Sequence, residues 1–284
     1  MTASARQRRD DVPSTDVIGR TVNAERLMLL AWSRAMLLQF AHPLIAAGIY
    51  EHSTFRDTPT AAARRLKGTV RAMLALTFGS GPERERTLER IRAIHRRVYG
   101  ELPYAVGPFP AGTRYSAEDP ALVAWVHATL LDSLPIFYEL LLTPLSVAEH
   151  DAYCANAAPV AVALGAAPNE VPRSRAALGE YMERVYGSGE IVVSTQAREL
   201  AARVLAPPFG PLGAPAVAIN RLLTVGTLPA DVRRQYGFDW TAREAAQIAV
   251  VVPTLRLLRR VMPDVAAIWR PARRNRLETP WNPC

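Results

Sequence analysis

The chain has 284 residues, of which 49% are hydrophobic and 21% charged, and its formal net charge is +8. This composition allows one large hydrophobic core and excludes a wholly disordered chain. The positive charge comes almost entirely from arginine, since Lys67 is the only lysine. The arginines are dispersed among acidic residues and are not interleaved with aromatic residues. That pattern argues against a nucleic-acid-binding module, and we expect no nucleic-acid partner.

The sequence predicts a cytoplasmic protein without a membrane span. Residues 1–17 read as a flexible polar arm, and no apolar segment with a small-residue cleavage site follows them. No run of about 18 uncharged apolar residues occurs, which is the length needed to cross a bilayer. The two cysteines, Cys154 and Cys284, have neither a disulfide pattern nor metal-ligand spacing, as expected in a reducing compartment.

Helical patterns follow one another along most of the chain, which predicts an all-α fold. We expect one bundle of about nine or ten helices over residues 18–270, with globin-like helix packing, and an irregular tail over 271–284. Strand patterns are scarce, since the apolar run at 191–193 is too short to build a sheet. The helical patterns lie at 23–39, 44–50, 60–77, 83–99, 121–142, 146–164, 174–186, 194–205, 216–225, shortly after Pro229, and at 241–261.

Capping residues mark several of the predicted helix starts. Residues 57–59 and 119–120 each combine a capping side chain with a proline in the first turn. Ser146 and Ser174 precede two further helices in the same way. Pro43, directly after His42, should interrupt the first long helix, because proline disfavours helical backbone in the residue before it.

Four of the five histidines lie in apolar segments, and His95 is the best candidate for a functional role. It shares a helical stripe with Ile91, Ile94 and Val98. A neutral imidazole that points into an apolar interior is what a haem iron needs as its proximal ligand. A core histidine bonded to a backbone carbonyl gives the same pattern. His150 stands at a solvated helix start and is assigned no role.

Arg65 and Thr69 lie four residues apart and therefore share one face of the helix predicted over 60–77. Arg65 is interpreted either as a cation for haem propionates or bound oxygen, or as a surface arginine that extends beside Lys67. Gly68 lies between them in mid-helix, where glycine costs about 1 kcal/mol relative to alanine. Close approach of a flat group or of a neighbouring helix would explain the glycine.

Other kinds of active site find no support in the sequence. It contains no His-x-x-x-His or Cys-x-x-Cys spacing, which leaves zinc and di-iron centres poorly supported. It also lacks Gly-x-Ser-x-Gly, Gly-x-Gly-x-x-Gly and Walker motifs. Demanding chemistry would therefore depend on a bound cofactor.

Seven short motifs occur in a characteristic order at residues 39–129, within a longer stretch of about residues 20–236 that resembles a known family. They are Gln39-Phe40-Ala41-His42-Pro43; Ala46-Ala47-Gly48-Ile49 with Glu51-His52-Ser53; Arg65-Leu66-x-x-Thr69; Thr77-Phe78-Gly79; His95-x-x-Val98-x-Gly100; Tyr115-x-Ala117-x-Asp119-Pro120; and Trp125-Val126-His127-Ala128-Thr129. Together they resemble the catalytic domain shared by the MpaB oxygenases and the latex clearing protein, a rubber oxygenase.

This resemblance implies an all-α fold that holds one b-type haem. It implies that His95 is the proximal iron ligand and that Arg65, Thr69 and Arg92 belong to the haem pocket. It also implies that Glu51 acts as a base on the distal side. In the rubber oxygenase, a lysine that can cap the iron directly precedes the threonine. Gly68 holds that position here, which predicts a more open distal side.

The resemblance also implies a reaction, the oxidative cleavage of a carbon–carbon double bond by O2. The expected substrate is an apolar small molecule, such as a terpenoid, a prenylated metabolite or a lipid, and the sequence does not specify an electron donor. The alternative is a non-catalytic protein that binds haem or a hydrophobic ligand.

Overall fold

The computed structural model describes residues 15–54, 58–206 and 213–278, and within them the fold is all-α, as predicted. A 3-10 helix joins the first two α-helices, and a two-stranded antiparallel hairpin is the only sheet in this part of the chain. The helices are α1 (Thr15–Ala24), α2 (Leu29–Phe40), α3 (Pro43–His52), α4 (Pro59–Phe78), α5 (Gly81–His95), α6 (Pro120–Leu141), α7 (Val147–Ala163), α8 (Arg175–Gly187), α9 (Thr195–Leu205), α10 (Ala214–Thr227), α11 (Ala230–Gln235), α12 (Ala242–Val261), α13 (Asp264–Ala267) and α14 (Arg270–Glu278); the strands are β1 (Tyr99–Glu101) and β2 (Arg114–Ser116).

The described residues therefore contain more helices than the nine or ten expected, and the additional ones lie near the two ends. Helix α1 begins inside the stretch interpreted as a polar arm, and α13 and α14 follow α12. The expectation of an irregular tail from residue 271 is wrong for the part that α14 covers. Ala272 of α14 is buried in a small cluster with Ala24 and Ile268, and that burial stabilises a segment whose own sequence is strongly polar.

The predicted caps form where the structure describes them. The Thr58 hydroxyl accepts a hydrogen bond from the Ala61 backbone at 3.1 Å, and Ser146 forms a capping box with Glu149. Asp57, the other capping residue expected at the start of α4, lies outside the described residues. Helix α4 begins at Pro59, as the Thr58 cap and the proline predict.

The break at Pro43 is also confirmed, and His42 is the residue that makes it possible. Its Nδ1 accepts a hydrogen bond from the Leu44 backbone at 3.3 Å, so the imidazole caps α3. Burial lowers the pKa of His42 to about 4, although the charge of Asp119 opposes the shift. The ring is therefore neutral at pH 7 and can accept that hydrogen bond.

Helices α2 and α6 pack side by side at the centre of the core, where Phe40, Trp125 and Phe137 are fully buried. Helix α6 is long and apolar enough to cross a membrane by length and composition, in contrast to the sequence-based expectation of no span. However, 72% of its most apolar stretch is buried inside the fold. Such burial is typical of a core helix, so this feature is weak evidence for a membrane span.

Hydrogen bonds between helices show which residues of α2, α6 and α7 lie at the same level. Gln39 on α2 donates to Thr129 on α6 at 3.0 Å. In the middle of α2, Arg34 donates to Asp132 at 2.6 Å, so residues further back on α2 lie beside residues further along α6 and the two helices are antiparallel. Helix α7 folds back along α6, and His150 contacts Glu139 at 3.1 Å.

This contact corrects the interpretation of His150 as a solvated residue. The ring is buried, and its hydrogen bond to Glu139 ties the start of α7 to the end of α6. Sequence alone did not reveal this, because the histidine follows Glu149 and precedes Asp151, and both of those neighbours are polar.

The hairpin of β1 and β2 was not predicted, because each strand has only three residues. Tyr99 pairs with Ser116, and Gly100 pairs with Tyr115. A Cβ at position 100 would lie 2.5 Å from the Tyr115 hydroxyl oxygen, so glycine leaves room for that side chain. The hairpin thereby positions Tyr115 between α3 and α5.

Candidate functional site

A cavity of about 550 Å³ lies between the α4–α5 hairpin and the core helices. Its volume falls within the range of roughly 300–1,000 Å³ that is usual for small-molecule sites. Most of its surface is apolar, with contributions from side chains such as Met36, Leu44, Met73 and Leu130. Helices α1, α2, α3, α6 and α7 supply the remaining walls.

Helix α4 lines the cavity with one face along much of its length. The lining positions are 65, 69, 72, 73, 76 and 77, which recur at helical spacing over about 18 Å. The opposite face points outward, and Lys67 and Arg71 on that face are exposed. The α4 side chains that the structure describes remain partly or fully exposed, so the cavity separates this helix from the core.

His95, the predicted iron ligand, is the last residue of α5 and lines the cavity. Its Nδ1 is buried and has no hydrogen-bond partner in the described part of the chain. Burial lowers its pKa, and the charge of Glu118 acts in the opposite direction. The imidazole is therefore neutral at pH 7, which is the state that can coordinate a metal ion.

Arg65 and Thr69 line the same cavity as His95, so the structure brings three of the predicted residues together. One Arg65 guanidinium nitrogen donates to the Ser53 hydroxyl at 2.8 Å, and Thr69 donates to the Arg65 carbonyl at 3.0 Å. Burial lowers the pKa of Arg65, but the guanidinium remains charged at any physiological pH. Since α4 and α5 form a hairpin that turns at 79–80, Arg65 and His95 lie at about the same level.

Glu51, the predicted base, lies elsewhere. It is exposed on α3 and is not among the residues that line the cavity. Its carboxylate nevertheless acts on Tyr115, which does line the cavity: burial raises the pKa of Tyr115, and the charge of Glu51 raises it further. The Tyr115 hydroxyl lies 3.5 Å from His52 Nε2, which in turn contacts the Tyr99 carbonyl at 3.0 Å.

Arg92 also lies away from the cavity, although it is only one turn before His95. Its Nε donates to the Ala163 carbonyl at 2.7 Å, and a guanidinium nitrogen lies 3.6 Å from Glu85. The contact with Ala163 holds α5 against the end of α7, whereas Glu85 lies on α5 itself. In this structure Arg92 therefore positions the helix that carries His95.

Gly68 faces open space. A Cβ built there would meet no atom within 4 Å, so no neighbouring helix explains the glycine. Gly68 is also not among the residues that line the cavity, so nothing in the structure explains the glycine.

Three further polar residues line the cavity and were not recognised from the sequence as site residues. His127 Nε2, Trp32 Nε1 and the Asn156 amide nitrogen are all buried without a partner among the described residues. Burial lowers the pKa of His127 to about 4. His127 stands in one of the motifs quoted above, but Trp32 and Asn156 lie in apolar helical patterns that show no polar signal.

The charges around the cavity suit an anionic cofactor. Arg20, Arg65 and Arg84 line it, and no acidic side chain of the described residues does. The same residues contain no group of three side chains that could hold a metal ion by themselves. A metal bound next to His95 would therefore need ligands from a cofactor, and Arg65, which lies at about the level of His95, could pair with an anionic group of that cofactor.

The fold and this cavity define a helical protein with a largely apolar cavity that is lined by a neutral imidazole and an arginine. The chain belongs to the family whose model is described as ER-bound oxygenase mpaB/B'/Rubber oxygenase, catalytic domain, which matches residues 19–262. All the residues that line the cavity lie within that range. The family indicates an oxygenase kind of enzyme. Searches of curated proteins and of solved structures found no match to this chain.

Proposed function

We propose that the protein is a haem b-dependent oxygenase that uses O2 to cleave a carbon–carbon double bond in an apolar small molecule. The observation that carries the proposal is the meeting of His95, Arg65 and Thr69 in one largely apolar cavity. A terpenoid, a prenylated metabolite or a lipid fits such a lining. When bound, haem would supply the iron that activates dioxygen.

In this proposal His95, Arg65 and Thr69 have three different roles. His95 holds the iron through its neutral imidazole. Arg65 places a fixed positive charge where negative charge develops on oxygen, and its bond to Ser53 keeps that charge in place. Thr69 already donates its proton to a backbone carbonyl, so its hydroxyl oxygen offers an acceptor to the cavity.

The role of Glu51 changes in this proposal. Its exposed carboxylate lies outside the cavity, so it acts on the reaction through Tyr115. The Tyr115 phenol is protonated at neutral pH even at its ordinary pKa, and burial and the charge of Glu51 raise that pKa further, so the phenol can donate a hydrogen bond to a bound molecule. Arg92 supports the site by fixing α5 rather than by touching the cofactor.

An absorption spectrum of the purified, haem-reconstituted protein tests the proposal. We expect a Soret band that shifts on reduction with dithionite and again on addition of CO. His95→Ala should abolish or strongly shift that band. His52→Ala is the matched control, because His52 also lines the cavity and should leave the band in place. A wild-type protein without Soret absorption would refute the proposal.

The second candidate is a non-catalytic carrier of haem or of a hydrophobic ligand. It is favoured by the absence of any acidic side chain among the described residues that line the cavity, since no general base then reaches the ligand directly. Measurement of O2 uptake by the haem-loaded protein separates the two candidates. A carrier consumes no O2 with any apolar compound, whereas an oxygenase consumes it in step with substrate.

A further inference from the structure

Two of the unpartnered side chains, Trp32 and Asn156, lie at one end of the cavity, which we name the donor end. The antiparallel packing of α2 on α6 places Trp32 beside Leu134 of α6, because Arg34 contacts Asp132 and Ser133. The contact between His150 and Glu139 sets the level of α7. Asn156 lies six residues after His150 on α7, and Ser133 lies six residues before Glu139 on α6. Because the two helices are antiparallel, Asn156 is level with Ser133.

Other side chains confirm that this end is polar. Asn23 of α1 hydrogen-bonds with Tyr153, one turn of α7 before Asn156, and both residues line the cavity. Gly19, one turn before Asn23, faces Asn156, since a Cβ there would lie 3.9 Å from the asparagine side chain. The donor end is thus enclosed by α1, α2, α6 and α7.

The donor end is remote from His95. The charge of Glu118 acts on His95, so His95 lies near the start of α6, whereas Trp32 and Asn156 lie level with residues 133–136. From Pro120 to Leu134 the helix rises about 21 Å. That rise along the axis of α6 places the donor end toward the opposite end of the cavity from His95. The donor end is therefore available to a second molecule.

The chemistry of the two side chains decides what that molecule must bring. The Trp32 indole can only donate a hydrogen bond, and the Asn156 amide nitrogen also donates. Each of these nitrogens is buried without a partner, which is unfavourable unless a ligand supplies an acceptor. Both groups are uncharged, so a hydroxyl or carbonyl oxygen is sufficient.

We propose that the donor end binds an oxygen atom at the end of the substrate chain, so that the cavity selects an oxygenated prenyl or similar apolar compound over the plain hydrocarbon. This inference rests on the proposed function in one respect, namely that the cavity holds the substrate. With the oxygen atom held at the donor end, on the far side of the cavity from His95, the length of the substrate chain determines which of its bonds reaches the reacting end.

Equilibrium dialysis of the purified full chain against farnesol and against farnesene tests the inference. Two neutral hydrogen bonds predict that farnesol binds roughly tenfold more tightly than farnesene. Trp32→Phe and Asn156→Leu should each reduce that preference to roughly threefold. Val160→Ala is the matched control, because Val160 lines the same cavity and should weaken the binding of both compounds alike.

Equal binding of the two compounds by the wild-type protein would overturn the inference, as would a full preference in both variants. If Trp32→Phe fails to fold, which circular dichroism reveals, Asn156→Leu decides the question alone. The measurement needs neither a Soret band nor O2 uptake. If the protein shows the Soret band but binds farnesol and farnesene equally, only this inference is disproved. If the protein prefers farnesol but shows no Soret band, only the haem proposal is disproved.

Discussion

Acid should destabilise the protein through His127, and the effect can be separated from general acid denaturation. Burial lowers the pKa of His127 from 6.5 to about 4 in the folded state. The unfolded chain therefore binds more protons than the folded chain between these two values. The stability that the neutral His127 contributes is fully present above about pH 6.5, and it is lost as the pH falls through this window.

The magnitude follows from the two pKa values. At pH 5 the unfolded imidazole is almost fully protonated, whereas the folded imidazole remains neutral. The free energy of unfolding should then be about 2 kcal/mol lower than at pH 7 for this one residue. That is a large share of the roughly 5–15 kcal/mol that stabilises a typical protein. His42 should contribute a similar amount, because burial lowers its pKa to about 4 as well.

Urea unfolding of the wild type and of His127→Leu at pH 7 and pH 5 isolates the contribution of His127. The variant keeps His42 and every carboxylate. On acidification its free energy of unfolding should therefore fall by about 2 kcal/mol less than that of the wild type. Loss of the same stability by both proteins would refute the reasoning. It would mean that the imidazolium is solvated in the folded state, as it would be in a water-filled cavity.

Two further predictions concern stability and the cofactor. Arg34→Met should lower the free energy of unfolding by about 3 kcal/mol in urea denaturation, because it leaves Asp132 and Ser133 without their shared buried partner; an unchanged midpoint would contradict this. Gly68→Ala should raise stability by about 1 kcal/mol, since the new methyl group meets no atom of the protein. A loss of Soret absorbance in that more stable variant would show that the glycine makes room for a cofactor.

The features that the sequence predicted well are those that depend on neighbouring residues. Caps such as Thr58 and Ser146 act within one helical turn, and Pro43 breaks a helix by local sterics. The shared orientation of Arg65 and Thr69 follows from helical geometry alone. The short elements escaped prediction, because α14 and the hairpin of β1 and β2 depend on packing partners that are distant in sequence.

The donor end could not have been predicted in the same way. Trp32 and Asn156 are 124 positions apart in the sequence, and each lies in a pattern that indicates an ordinary core helix. Only the level of α7 relative to α6, set by His150 and Glu139, places them together. The sequence offered no sign of that contact, and it even favoured a solvated His150.

Glu51 and Arg92 are residues that the sequence assigned to the site but that do not line the cavity. Both were assigned to the site through motif position, and both lie close to residues that line the cavity, but neither lines it. A motif records that a residue is present and does not record the direction in which it points. Arg92 points toward the end of α7. Glu51 affects the cavity only because its charge raises the pKa of Tyr115. In the structure Arg92 thus fixes the helix of His95, and the charge of Glu51 adds to the effect of burial in raising the pKa of Tyr115.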